Sequence, residues 1–362
     1  MKVPNYEYNI LIGCNNILVL GKELRRLAIG KSIFLITSPR IGKLYQKLVL
    51  KSLRGAGFDD IAVYHLPDGE KNKSIVQHSK VLDKLANFDD GQSKKIFIIN
   101  LGGGVVGDLG GFVAGVYHRG IPYVQIPTTL LACVDSGVGG KVGVNLFRYK
   151  NSVGMFWQPR LVFVDIVLLK TLSKRQFKSG LAEVIKYGIS LDAELFDYIE
   201  CRWEELRLDN SAAILRISEK CYKIKVGIVV RDVRDTKDIR IMLNYGHTIG
   251  HAIESASRYA FTHGESVAIG IVCANDIAVR LGVLRGEVSD RIETLLMSMK
   301  LPTRIKNCGI TDILDSMVND KKFIHGKNKF ILLRDIGKCI IREGIDHKLI
   351  RDVIEHRMEG AR

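Results

Sequence analysis

The chain has 362 residues, 46% of them hydrophobic and 26% charged, the balance of an ordinary globular protein with room for two domains and their cores. Seven scattered cysteines (Cys14, Cys133, Cys201, Cys221, Cys273, Cys308, Cys339) with no Cys-x-x-Cys pair argue against a disulfide framework. The opening MKVPNYEYNI lacks the apolar core of a signal peptide and no apolar run could span a bilayer, so a cytoplasmic location is expected. The formal net charge of +15 is spread along the chain, with no basic block interleaved with aromatics, which favours a small polyanionic partner over nucleic acid or a membrane.

The first half alternates strand and helix patterns. KSIFLIT (31–37) is a buried-strand run, followed by an amphipathic helical stretch to about Gly55. IAVYHL (61–66) is a second strand, and SIVQHSKVLDKLANF (74–88) has helical periodicity. KKIFIINL (94–101) is a third strand, and it runs into GGGVVGDLGGFVAGV, a glycine turn leading into a helix. PYVQIP (122–127) and RLVFVDI (160–166) add further strands. This alternation predicts a Rossmann-like α/β domain over 1–172, with a mostly parallel sheet covered on both faces. From about Ser173 strand runs largely give way to amphipathic helices at 175–189, 192–206, 211–230, 240–258, 264–281 and 286–299. One late strand candidate lies at 329–337. A mostly α-helical domain is therefore predicted over 173–362. Active sites often lie between domains of this kind.

Several stretches carry chemistry. Gly102, Gly104 and Gly107 fit G-x-G-x-x-G after a strand and before a helix, where bare backbone can approach a pyrophosphate. The acid expected about 20 residues later is missing, so the match alone is weak. Asp108, inside that helix, also suits the helix dipole. Asp135 to Lys141 reads DSGVGGK. It is not a Walker loop, because Val142 stands where a magnesium-binding hydroxyl would be. Lys141 on a glycine-rich loop can still meet a phosphate as a point charge. Lys150 and Asn151 follow in another turn.

Glu183 and Lys186, at i and i+3 on the helix LAEVIKYG, read alone as a surface ion pair. In RIMLNYGHTIGHAIE (240–254), Arg240, Asn244, His247 and His251 recur at spacings that place them on one stripe of a continuous helix. That stripe suits an anion at one end and a metal or proton transfer at the other. Gly246 and Gly250 inside this helix would each cost about 1 kcal/mol against alanine, which implies close approach by a ligand or another backbone. His263, opening the next helix, could complete a metal site with His247 and a carboxylate.

Taken together, these stretches resemble the 3-dehydroquinate synthase family. The resemblance rests on GGGVVGDLGGFVAGVYHRG, VQIPTTLLACVDSGVGGKVGVN, KNSVGMFWQP, GLAEVIKYG, LNYGHTIGHAIE, HGESVAIG and the late Asp320-Lys321-Lys322, in the family's order. It implies a divalent metal, zinc or cobalt, on Glu183, His247 and His263. It implies NAD contacts at Glu70, Lys73, Gly103, Gly104, Val105, Asp108, Thr128, Thr129, Lys150, Leu168, Leu169, Lys170 and Thr171. Substrate contacts would be Asp135, Lys141, Asn151, Lys186, Lys225, Arg240, Asn244 and Lys321. Arg119 would reach the neighbouring subunit's substrate in a homodimer. His251 would transfer protons rather than bind metal.

The sequence departs from the family pattern in four places. Thr37-Ser38-Pro39-Arg40 stands where an Asp usually follows the first strand. Ser136-Gly137 replaces a usual Ser-Ser, and Leu172-Ser173 a usual Leu-Pro. The segment 232–240 is one residue longer than usual, and Asp235 is the nearest candidate for the family's acidic base.

The implied reaction converts the sugar acid phosphate DAHP (3-deoxy-D-arabino-heptulosonate 7-phosphate) into 3-dehydroquinate and phosphate, in the shikimate pathway. It runs by transient oxidation, phosphate elimination, re-reduction and aldol closure. The alternatives are another sugar phosphate cyclase and a metal-dependent polyol dehydrogenase of similar fold, which would release NADH.

Overall fold

Branched and aromatic runs in the first half assemble into one sheet. The computed structural model describes residues 2–3, 6–90, 95–146, 149–258, 260–318 and 328–360. The strands are β1 (Lys2–Val3), β2 (Tyr6–Gly13), β3 (Ser32–Thr37), β4 (Ile61–His65), β5 (Ile96–Gly102), β6 (Tyr123–Pro127), β7 (Lys141–Leu146), β8 (Tyr149–Phe156) and β9 (Leu161–Asp165). Seven of them form a sheet in the order β1-β2-β9-β6-β5-β3-β4. β1 pairs with β2 antiparallel, and the remaining pairings in the sheet are parallel.

Alternate residues of each strand serve different cores. Ile33, Leu35, Phe97, Ile99 and Ile126 pack with Leu20, Leu24, Val49 and Leu53. Phe34, Ile36, Ile96, Ile98 and Tyr123 pack with Val81, Leu85, Leu109 and Val113. Successive strand side chains point to opposite faces, so helices Leu20–Leu27 and Lys47–Gly55 cover one face, and Ile75–Asp89 and Gly104–Val116 the other. Burial on both sides explains why these strands read as unbroken apolar runs. Each fully buried Ile, Leu or Phe contributes roughly 1.5–3 kcal/mol.

The structure corrects the reading of 135–151 as loop and turn. Lys141 opens β7 and Lys150 and Asn151 lie in β8, which pair as an antiparallel hairpin. Gly143 sits opposite Gly154, and a Cβ on Gly143 would lie 2.9 Å from Gly154 Cα. Val142 and Val144 turn inward onto the core beside helix Gly104–Val116.

The chain forms two compact units, Met1–Leu172 with Arg207–Val230, and Ser173–Leu206 with Arg231–Arg362. Most of helix Ser211–Arg231 thus belongs with the first unit, where its Lys225 pairs with Asp135. The second unit holds helices Lys174–Leu191, Ala193–Arg202, His247–Ala256, His263–Arg280, Gly286–Ser298, Ile310–Val318 and His347–His356. It also holds the hairpin β10 (Lys329–Asp335) and β11 (Lys338–Glu343).

The continuous helix expected over 240–258 is broken. Arg240–Asn244 is a 3-10 turn, and the α-helix starts only at His247. Between them Gly246 takes φ +75, a left-handed conformation that ends regular helix. Its carbonyl is pressed against Gly270, where a Cβ would stand 2.0 Å away. Arg240 and Asn244 therefore do not share a helical stripe with His247 and His251.

Candidate functional site

In the second unit three helices meet at small residues. A Cβ on Gly264 would lie 2.0 Å from Ser179 O, and Gly264 N donates to Ser179 Oγ at 2.9 Å. This brings the start of helix His263–Arg280 against helix Lys174–Leu191, one turn before Glu183. The Gly246–Gly270 contact brings helix His247–Ala256 to the same place. A capping box fixes the entry to the third helix. Thr262 Oγ1 accepts from Glu265 N, and Glu265 Oε2 accepts from Thr262 N at 2.7 Å. His263 is thereby held at the first helical position, and Glu265 is taken up by the cap and by Arg175.

Glu183, His247 and His263 converge as a result. Their ligand atoms all lie within 4.8 Å of one another, and among the described residues this is the cluster of acidic, histidine or cysteine groups that could hold a metal ion. Glu183 Oε1 stands 3.5 Å from His247 Nε2 and 3.3 Å from His263 Nε2. Glu183 is fully buried and His247 nearly so. Two imidazoles and one carboxylate suit a zinc-type ion that keeps positions open for substrate. Burial works against a charge on His263, but the carboxylates of Glu183 and Glu254 outweigh it and raise the imidazole to about 9. A bound cation must displace that proton.

His251 lies beside this group but outside it. Its ring is 5.0 Å from that of His247 and 5.8 Å from that of His263, centroid to centroid. Lys186 is inside the protein rather than on its surface: Nζ reaches Glu183 Oε2 at 2.5 Å and donates to Leu243 O at 2.6 Å. Leu243 lies on the 3-10 turn that carries Arg240 and Asn244, so Lys186 ties that turn to the Glu183 carboxylate.

Arg240 is buried, and its guanidinium donates to Val233 O at 2.9 Å. The loop before it winds around Asp232, a residue the sequence did not single out. The Asp232 carboxylate accepts from the backbone of Thr236 at 2.9 Å, Lys237 at 3.2 Å, Ile239 at 3.1 Å and Arg240 at 3.3 Å. Asp235 lies on the exposed side of this loop with φ 54. Lys321 lies outside the described residues.

In the first unit the glycine turn follows β5 and opens helix Gly104–Val116. A Cβ on Gly103 would come 2.9 Å from Thr129 Cγ2, closer than real side chains come, so the turn stays bare backbone. Thr128 N donates to Gly102 O at 3.0 Å, which holds the Thr128-Thr129 segment against the turn. Val105, in the helix's first turn, belongs to the same N-terminus, whose exposed N–H groups suit a pyrophosphate.

Around this turn Glu70, Lys73, Asp108 and Asn151 form one network. Lys73 Nζ is 2.5 Å from both Asp108 Oδ2 and Asn151 Oδ1. Asn145, which sequence reasoning missed, joins them: its amide donates to Glu70 Oε1 at 2.9 Å and accepts from Asn151 N at 2.9 Å. Its only signal was its place at the end of GGKVGVN. Burial pushes the Asp108 carboxyl up, against the opposing pull of Lys73.

The segment Leu168, Leu169, Lys170 and Thr171 follows β9. It is held by Tyr45, also missed, whose hydroxyl donates to Leu168 O at 2.9 Å and meets Thr171 Oγ1 at 2.7 Å. Lys225 Nζ meets Asp135 Oδ1 at 2.6 Å and its carbonyl at 2.5 Å. Lys141 and Arg119 are exposed and Lys150 half-buried.

Comparison with known proteins bears on both units. Residues 63–179 match the family model described as 3-dehydroquinate synthase N-terminal, and residues 180–323 match 3-dehydroquinate synthase C-terminal. The chain is 44% identical over 339 residues to the 3-dehydroquinate synthase of Desulforamulus reducens, covering 93% of each. Among solved structures it is similar to 2-epi-5-epi-valiolone synthase from Streptomyces hygroscopicus subsp. jinggangensis, solved with NAD+ and Zn2+. There the TM-score is 0.86 at 24% identity, over 98% of this chain and 97% of that one. It is also similar to 2-deoxy-scyllo-inosose synthase complexed with carbaglucose-6-phosphate, NAD+ and Co2+. There the TM-score is 0.87 at 23% identity, over 96% of each chain. At these identities the structural likeness speaks for the fold.

Proposed function

The chain belongs to the 3-dehydroquinate synthase family, and we propose from this membership and its site residues that it converts DAHP to 3-dehydroquinate and phosphate. The observation that carries the reading is the convergence of Glu183, His247 and His263 from three helices. These residues would hold a divalent ion, zinc or cobalt, which when bound supplies Lewis-acid polarisation of a substrate hydroxyl. The backbone of Gly103, Gly104 and Val105, with Thr128, Thr129, Asp108, Glu70, Lys73, Lys150 and the 168–171 turn, would cradle NAD. NAD when bound supplies hydride acceptance and return.

The remaining residues bind, orient and move protons. His251, beside the metal ligands and not among them, relays the proton of the substrate hydroxyl. Lys141, Arg240 and Lys321 balance the charge of the departing phosphate, and the Asn151 amide hydrogen-bonds it. Asp135, Lys186, Lys225 and Asn244 orient the sugar acid. Asp235 is our candidate for the base.

Arg119 completes the phosphate pocket of a neighbouring copy in a homodimer. Its exposure supports a side chain available to a neighbouring copy. The cytoplasm is the proposed location, supported by seven cysteines scattered along the chain with no Cys-x-x-Cys pair. No helix among the described residues is long and apolar enough to cross a membrane.

The test follows phosphate release from DAHP with NAD far below the substrate concentration, together with NADH absorbance. Many turnovers per NAD without NADH accumulation are expected. Stoichiometric NADH would replace this reading with a polyol dehydrogenase.

A further inference from the structure

We propose that Glu254 is a positioning residue that sets the tautomer and orientation of His263 for metal binding. The inference rests on the metal-centre reading above and extends it to a residue outside the ligand set.

The geometry is that of two imidazoles each held by both ring nitrogens. His263 Nε2 faces Glu183 Oε1 at 3.3 Å, while its Nδ1 faces Glu254 Oε2 at 3.4 Å. His247 Nε2 faces the same Glu183 oxygen at 3.5 Å, while its Nδ1 faces Tyr245 O at 3.0 Å. With Nδ1 of each ring donating to that acceptor, the Nε2 lone pair would be left for a cation beside Glu183. A backbone carbonyl does this for His247. Its residue, Tyr245, is pinned in turn through its hydroxyl to Asn275. A carboxylate does it for His263, and a carboxylate also makes the ring a stronger donor.

Glu254 is only 6% exposed. It lies seven residues after His247 in the same helix, so one helical face carries a ligand, the proposed proton relay His251 and the anchor of the other ligand. A carboxylate buried this far needs a hydrogen-bonding partner, and the imidazole N–H of His263 supplies one.

Glu254→Gln keeps size and an acceptor oxygen but loses charge, and Glu254→Ala loses both. Chelator-stripped protein is titrated with Co2+ against a chromophoric chelator, and the visible spectrum of the Co2+ form is recorded. A Co2+ Kd weakened about 10- to 100-fold in Glu254→Ala is expected, with a smaller loss in Glu254→Gln and an altered Co2+ spectrum in both. If Glu254→Ala does not fold, Glu254→Gln decides by the same readings. Parent affinity and an unchanged spectrum in the Glu254 variants overturn the proposal. His247→Ala is the companion measurement. If it loses Co2+ while the Glu254 variants do not, only the role of Glu254 fails. If it also keeps parent affinity, the metal centre fails with it.

Discussion

The ammonium of Lys186 lies 2.5 Å from Glu183 Oε2, with both side chains at most 1% exposed. Two opposite charges three residues apart on a helix are usually solvated. Here the helix face that carries them is turned inward, and Lys186 is held further by Leu243 O. A buried pair adds little net stability because both charges lose their water, but removing one partner strands the other.

Lys186→Met should therefore destabilise the metal-free protein by about 3–5 kcal/mol, and Glu183→Gln with Lys186→Met should recover most of that loss. Both variants should lack activity. Urea unfolding of the single and double variants measures the difference. Equal stability of Lys186→Met and parent would show the pair to be incidental.

His251 separates two ways of reading the same helix. Spacing alone makes His247 and His251 joint ligands, whereas the convergence on Glu183 gives that part to His263. His247→Ala and His263→Ala should lose bound metal on purification, while His251→Ala keeps it and loses turnover. Metal analysis of the three variants decides, and metal loss from His251→Ala equal to that from His247→Ala would count against the proton-relay role.

Arg119 should act on a neighbouring copy. Arg119→Ala and Lys141→Ala subunits are each expected to be nearly inactive alone. Mixed and reassembled, they should regain activity, because each hybrid dimer has one intact site. Hybrids that form and stay inactive would place Arg119 in its own subunit's chemistry.

Asp232 gives a prediction in pH. Burial works against its charge, yet the N–H groups of Thr236, Arg240, Lys237 and Ile239 prevail and hold its carboxyl below the usual range. A carboxyl depressed in the folded state contributes stability above its unfolded pKa, about 3.9. That stability is lost as pH falls through the folded value. Asp232→Asn should thus be less stable than the parent by a constant margin from about pH 5 to 7, narrowing below about pH 4. Thermal unfolding across that range checks it; a margin independent of pH would mean that the carboxylate charge contributes nothing.

The sheet was legible because burial on both faces leaves an uninterrupted apolar record, as in Ile33–Ile36 and Ile96–Leu101. The β7–β8 hairpin was not, because its close approach depends on Gly143 facing Gly154, and glycines read as a loop. The break at Gly246 was half legible. Two helical glycines signalled a close backbone contact, but periodicity cannot distinguish a helical glycine from one in the left-handed region. The grouping of Glu183, His247 and His263 was visible through family motifs and not through spacing, since the three come from three helices that only packing unites. Asp232, Tyr45 and Asn145 bind mostly backbone or neighbouring side chains, and such support has no periodic signature.

The cage around Asp232 also bears on how this chain can vary. The carboxylate fixes the start of the 232–240 segment directly to the amides at its end, so the position of Arg240 is set by hydrogen bonds rather than by the number of residues in between. Extra length is pushed outward, where Asp235 and Asp238 already adopt left-handed φ of 54 and 56 on the exposed side. A change in the length of this segment can then be accommodated without shifting the guanidinium. Insertions and deletions at 233–238 should accumulate across lineages far more readily than substitutions of Asp232 itself.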